Sequence, residues 1–166
     1  RRFQNKLSSK FLINKGSLIS HLGFGLLIFF ICLNNIFSIE HDFNIKVGEK
    51  KNLNQFVIKL QDLKVYDEEN YKKYVGNVLI QNNKKNTIEN LKPEIRLYNS
   101  PETITYEASI KSNLFSDTYV TMSNISRTEY YNIKFQKKPF MIWIWISVIF
   151  ISMGGFIRLF KNAKNY

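Results

Sequence analysis

Two stretches of the chain are apolar on every face. Residues 17–38 read SLISHLGFGLLIFFICLNNIFS, with His21 as the one titratable side chain besides a thiol, and residues 140–160 read FMIWIWISVIFISMGGFIRLF, with Arg158 near the end. The helix of a soluble domain shows an apolar stripe and a polar one, and neither segment does. At ~1.5 Å per residue, such lengths rise ~33 Å, about one bilayer core. Each stretch therefore predicts a transmembrane helix. A signal peptide is the rival for the first, but the apolar run is long for that role and no A-x-A-like site follows it. Between the two, residues 39–139 alternate. Phe56, Ile58 and Leu60 are spaced by polar residues, as are Val78 and Ile80, Ile95 and Leu97, and Tyr131, Ile133 and Phe135. Period two over short runs predicts half-buried strands. Turn-like clusters such as Asp67-Glu68-Glu69-Asn70 and Asn99-Ser100-Pro101 divide them. The expectation is about six to eight strands in a small barrel or sandwich, flanked by two membrane helices: a membrane α+β chain. No internal repeat is evident.

Charge turns this pattern into a topology. The net charge is +11, yet eight of the surplus positive charges lie in two acid-free ends: Arg1, Arg2, Lys6, Lys10 and Lys15 before the first helix, and Arg158, Lys161 and Lys164 at the close. Basic flanks mark the cytoplasmic or matrix side of a membrane helix. Residues 1–16 and 161–166 are thus expected on that side, with the β-rich domain in the intermembrane space or periplasm. Trp143 and Trp145 open the second helix at the domain's side, where indoles favour the interface. The surplus left to the middle is only three, so the basic balance does not argue for nucleic acid. Lys50-Lys51, Lys72-Lys73, Lys84-Lys85 and Lys137-Lys138 read as solvated turns and faces rather than an anion site.

Composition removes further classes. One Cys, Cys32, excludes an internal disulfide framework, and two distant His leave little for a self-contained metal centre. Gly-rich phosphate loops, nucleophile elbows and Ser/His/Asp sets are not visible. Asn124-Ile125-Ser126 fits a glycosylation acceptor, which matters only in the secretory pathway. Ile, Lys, Asn, Phe and Tyr make up about half of the chain, well above ordinary usage. Their AT-rich codons point to an AT-rich genome such as an organelle's. The chain begins with Arg1 rather than Met, which fits a split or processed product.

His21 is the most informative residue. It lies about one turn inside an apolar helix, where an ionisable group is costly and marks a pathway, a ligand or a packed polar contact. Gly25, four residues on, shares its face, and Gly23 thins the helix nearby. Missing side chains beside an imidazole leave room for a flat macrocycle, and imidazole is a haem axial ligand. They equally let another helix approach, with His21 hydrogen-bonding across it, and residue types alone favour that packing reading. His41 lies too far along the chain to be a second ligand, and Met153 is the one in-chain candidate at similar depth.

Several short motifs then fall in order. His21-Leu22-Gly23, Pro93-Glu94-Ile95-Arg96-Leu97-Tyr98, Thr105 with Glu107, Ala108 and Ile110, Asp117-Thr118-Tyr119, Pro139-Phe140-Met141-Ile142-Trp143-Ile144-Trp145 and Gly154-Gly155 follow one another. Together, over residues 21–161, they resemble the C-terminal part of CcmF, the haem lyase component of System I cytochrome c maturation. There the corresponding segments read His-Leu-Gly, Pro-Glu-Lys-Arg-x-Tyr, Thr-Glu-Ala-x-Ile, Asp-Leu-Tyr and Pro-x-x-Arg-Trp-Ile-Trp. Ile142 stands where the family has Arg, and Tyr106 intrudes in the Thr-Glu-Ala stretch. The resemblance implies that His21 is an axial ligand of a resident haem b shared with a partner chain, with Gly25 beside it. It implies as partners other CcmF fragments carrying the tryptophan-rich WWD segment and the second axial His, a CcmH-type apocytochrome chaperone, and apocytochrome c, in a mitochondrial or bacterial inner membrane. No acid, base or nucleophile of a complete active site is present on the chain. The competing expectation is a non-catalytic structural subunit of a mitochondrial respiratory complex derived from CcmF.

Overall fold

The computed structural model describes residues 2–84, 86–124 and 129–162, with side chains from Lys15 to Phe160 apart from Asn124 and the gaps. Lys85, the Ile125-Ser126 part of the acceptor motif and the side chains of Arg1, Arg2, Lys6, Lys10, Lys161 and Lys164 therefore lie outside the described residues. The chain forms two compact units, a helical pair and a β-domain.

In the helical unit, α1 (Arg2–Phe37) and α2 (Met141–Asn162) pack antiparallel. Lys15–Phe37 and Met141–Phe160 are each long and apolar enough to cross a membrane, and little of either span is buried. Their shared seam is built from small residues. A Cβ on Gly23 would stand 2.8 Å from the Ile151 nitrogen and 2.9 Å from the Ser147 carbonyl. One on Gly16 would stand 2.9 Å from the Gly154 carbonyl, and Gly154 in turn abuts Ser20 and Gly16. Ser20 Oγ donates to the Ile151 carbonyl at 3.1 Å. Towards the other end, Phe30 stacks on Trp143 with centroids 5.7 Å apart, and Asn34 donates to the Pro139 carbonyl. The contact positions on α1 (16, 20, 23, 30, 34) and on α2 (143, 147, 150, 154, 157) are three, four or seven residues apart, the spacing of a helix–helix seam. Phe140 turns the chain into α2 in the left-handed region (φ 61°), its N–H donating to the Phe115 carbonyl at 2.9 Å.

The β-domain is a two-sheet sandwich, as the alternation requires. Its ten strands are β1 (Ile39–Ile45), β2 (Lys50–Leu53), β3 (Phe56–Asp67), β4 (Tyr71–Asn82), β5 (Thr87–Leu91), β6 (Glu94–Asn99), β7 (Glu102–Glu107), β8 (Ser109–Ser112), β9 (Ser116–Asn124) and β10 (Tyr131–Pro139). One sheet runs β1-β10-β9-β8; the other runs β2-β3-β4-β6-β7, with β5 also on β4. The count exceeds the six to eight expected because β2 and β8 are four-residue edge strands, KKNL and SIKS, with no apolar alternation to announce them. Between the sheets lies the core: Ile45, Phe56, Ile58, Leu60, Val78, Ile80, Leu91, Ile95, Val120, Met122, Ile133 and Phe135. Every strand pair named from period two supplies residues to it. Gly48 (φ 86°) takes the left-handed turn between β1 and β2, where a side chain would be strained.

Candidate functional site

On α1, His21 stands five residues after Gly16 and two before Gly23, which at 100° per residue puts it on the side opposite the α2 seam. The side chain is exposed. Its Nδ1 lies 2.7 Å from the Ser17 carbonyl oxygen and 3.4 Å from Ser17 Oγ. A carbonyl only accepts, so Nδ1 carries the proton and donates; in the neutral ring Nε2 then keeps its lone pair. That is the arrangement in which a ligating histidine is held, one ring nitrogen fixed by a backbone acceptor and the other free to coordinate. Gly25, on the same face, has nothing within 4 Å, unlike Gly23 and Gly16.

The two glycines near His21 therefore separate. Gly23 accommodates α2, and Gly25 opens beside the imidazole. Residue types alone favour a packed helix over a macrocycle as the reason for the thinning; within this chain the approaching helix uses Gly23 and leaves the His21–Gly25 face uncovered. Met153 sits exposed on α2, across the seam from that face, so α2 does not bring it to His21. Cys32 is exposed three turns along α1 from His21.

His41 belongs to the β-domain. It is half-buried on β1, its ring 6.5 Å from that of Phe135, and it lines an open cleft of about 690 Å³ with Glu40, Asn54, Gln55 and Phe56. Among the described residues, no three His, Cys, Asp or Glu side chains converge as a metal centre would need.

Several of the remaining motif residues act as pins, within strands and between α2 and the loop before β9. On β6, Glu94, Arg96 and Tyr98 alternate to one face, and Arg96 donates from Nε and Nη2 to Glu94 Oε2 at 2.9 and 2.8 Å. Their β7 partners across the ladder are Glu107, Thr105 and Thr103. Two carboxylates thus face one another at Glu94 and Glu107, an arrangement that repels unless a cation serves both. The Arg96 guanidinium does so, and its hydrogen bond to Glu94 raises its affinity for its proton. On β9 the Tyr119 hydroxyl donates to Asp117 Oδ2 at 3.2 Å; burial, then the Asp117 charge, pushes the phenol up. Trp143 Nε1 donates to the Leu114 carbonyl at 3.0 Å. None of these is a proton donor or acceptor poised over a reacting group. The Ser17 carbonyl and the small-residue seam were not singled out from sequence. The seam's three-and-four spacing was its available signal; a backbone acceptor has none.

The profile of the CcmF C-terminal β-sandwich matches residues 36–139 of the chain, more than half of it. The chain belongs to the CcmF C-terminal family. It is 29% identical over 153 residues to the cytochrome c-type biogenesis protein CcmF of Haemophilus influenzae, covering 91% of this chain and 23% of that protein. A mitochondrial protein of Marchantia polymorpha, ymf2, is 36% identical over 75 residues, 45% of this chain and 23% of that one. A solved structure titled cytochrome c heme lyase CcmF shares the fold, with a TM-score of 0.66 at 18% identity over 90% of this chain and 25% of the other. This CcmF C-terminal chain thus spans about a quarter of the length of the relatives it matches. The β-sandwich flanked by two apolar helices, expected from the residues and their resemblance, is the family's architecture.

Proposed function

We propose that this chain is the C-terminal subunit of a CcmF-type haem lyase in cytochrome c maturation, and that His21 supplies one axial ligand to a haem b completed by a partner chain. The observation that carries the reading is His21 itself: an imidazole in an apolar span, its Nδ1 tied to the Ser17 carbonyl, beside an open Gly25, on the face that α2 leaves free. The donor set fits the group. Nε2 is the ligating atom, Ser17 orients the ring, and Gly25 leaves the adjacent surface clear. When bound, such a haem supplies a one-electron redox centre whose potential its axial ligands tune. The chain's own residues hold and orient; His21 alone cannot complete a bis-histidine site. The second axial His and the WWD segment belong to other CcmF fragments. A CcmH-type chaperone and apocytochrome c are the further partners, and the β-domain is their platform in the intermembrane space or periplasm.

The test is a spectrum. The assembly is purified through this chain from its native membrane, its co-purifying chains are identified, and reduced-minus-oxidised spectra are recorded for wild type and His21→Ala. A b-type signal that disappears in the variant while the partner chains remain bound supports the reading. Copurification with an electron-transfer complex, with a haem signal indifferent to His21, sinks it in favour of a structural subunit of a respiratory assembly.

A further inference from the structure

Every sheet edge is a row of unpaired N–H and C=O groups, and proteins blunt such edges with lysines, other charges or very short strands. The edges of this sandwich obey the rule with one exception. β2 is four residues long and opens with Lys50 and Lys51; β8 is four residues long and carries Lys111. β1 carries Glu40, His41 and Asp42, and β5 carries Glu89. β7 is different. It ends the larger sheet, pairs with β6 through six uninterrupted register positions, and shows no bulge. Between its terminal glutamates it reads Thr103-Ile104-Thr105-Tyr106, all β-branched or aromatic, with no charge. Ile104 and Tyr106 are 55% and 49% exposed.

We infer that β7 is a docking edge, which takes up an extended segment of another polypeptide as a further strand. Charge defines the segment. Glu102 closes one end and makes no ion pair among the described residues; Glu107 closes the other, where its Oε1 accepts from Thr105 Oγ1 at 3.1 Å. A second copy of β7 laid antiparallel would set Glu102 opposite the copy's Glu107 at both ends, with Arg96 on β6 already engaged by Glu94 and no cation added, which disfavours self-association. The occupant that fits carries a Lys or Arg near each end and apolar residues at alternate positions between them, to cover Ile104 and Tyr106. Main-chain hydrogen bonds supply the affinity and the flanking charges the selection. This edge is independent of whether His21 holds haem.

The experiment uses the full chain in detergent micelles and a synthetic hexapeptide of alternating valine and threonine with a lysine at each end. Hydrogen–deuterium exchange is followed at β7 with β2 as the internal control. The peptide is expected to slow exchange at β7 and leave β2 unchanged, and Ile104→Lys is expected to abolish the protection. Glu102→Lys, at an exposed position that leaves the ladder intact, is expected to weaken binding by about fivefold and to improve binding of the same peptide with glutamate ends. Unchanged exchange at β7 under saturating peptide overturns the proposal, as does equal binding of the lysine-ended and glutamate-ended peptides by the wild type. Protection of β7 that grows with protein concentration in the absence of peptide overturns it too, by giving the edge to a second copy.

Discussion

Gly23 and Gly25 stand two residues apart and meet opposite surroundings. A methyl group on Gly23 would press on the backbone of Ile151 and Ser147, which cannot turn aside as a flexible side chain can. Gly23→Ala is therefore expected to weaken the helix pair by about 1–3 kcal/mol, read by denaturant titration of the detergent-solubilised chain with fluorophores on α1 and α2. Gly25→Ala meets nothing, so the same titration should show no loss, or a gain of up to about 1 kcal/mol from helix propensity. Equal losses at both positions would contradict a seam that runs through Gly23 and bypasses Gly25. The residues made the neighbourhood of His21 legible as thin. They did not say which glycine faced a helix, because that depends on the partner helix's own small residues, Ser147 and Gly154. Thr118 makes a further point at this scale. It is buried, and its Oγ1 has no hydrogen-bond partner among the described residues. Thr118→Val keeps the shape and removes the stranded hydroxyl; a gain of about 1 kcal/mol in the unfolding free energy of the β-domain is the expected result.

Among the elements, the long strands were readable and the short ones were not. Phe56-Ile58-Leu60 on β3, Val78-Ile80 on β4 and Ile133-Phe135 on β10 all point into the core, as period two demands. The next core contact on β3 after Leu60 is Leu63, a step of three, and there the β3–β4 register slips between Leu60 and Asp62. That bulge was written in the spacing of two leucines. β2 and β8 left no such trace, since an edge strand of four mostly polar residues has no buried face to pattern. The helices were readable as apolar spans, whereas their seam lay hidden in runs where every residue is apolar and only the three-and-four spacing of small ones singles out a side. Phe135 joins the sheets: it is fully buried, and its ring centre lies 5.0 Å from that of Phe56 on β3. Phe135→Ala is expected to cost the β-domain about 3–5 kcal/mol, measured by denaturant unfolding, with the helical spans still inserted in micelles. A loss under 1 kcal/mol would mean that the two sheets do not meet at this ring.

For the whole molecule, charge is what divides the chain, and it acts differently in the two units. In the β-domain two ion pairs are well exposed: Lys134 with Glu40 at 2.6 Å joins β10 to β1, and Lys46 meets Glu129 at 3.0 Å. The Lys134 hydrogen bond, with help from Gln136, holds the Glu40 carboxyl below its ordinary 4.5, and Lys46 does the same for Glu129. A carboxyl depressed on folding stabilises the native state above its unfolded value and loses that contribution as pH falls through the folded one. The melting temperature of the β-domain should therefore hold level between neutrality and pH ~5 and drop further below, with a shallower drop in Glu40→Gln; being exposed, both pairs should weaken in high salt. In the helical unit the charges sort by position instead. Gly16 packs against Ile157, so the antiparallel pair brings Lys15 and Arg158 to one end of the bundle. Beyond them the sequence continues acid-free in both directions, while all thirteen acids lie in the chain between. Divided into segments, the net charge of +11 yields an expected orientation, with both basic ends on the matrix or cytoplasmic side. On that reading protease added from the intermembrane-space or periplasmic side of sealed membranes should cut between residues 39 and 139 and spare epitope tags at both ends; protease from the matrix or cytoplasmic side should remove both tags and leave the sandwich whole. Loss of a single tag from either side would break the hairpin topology, and with it the assignment of the two basic ends to one face.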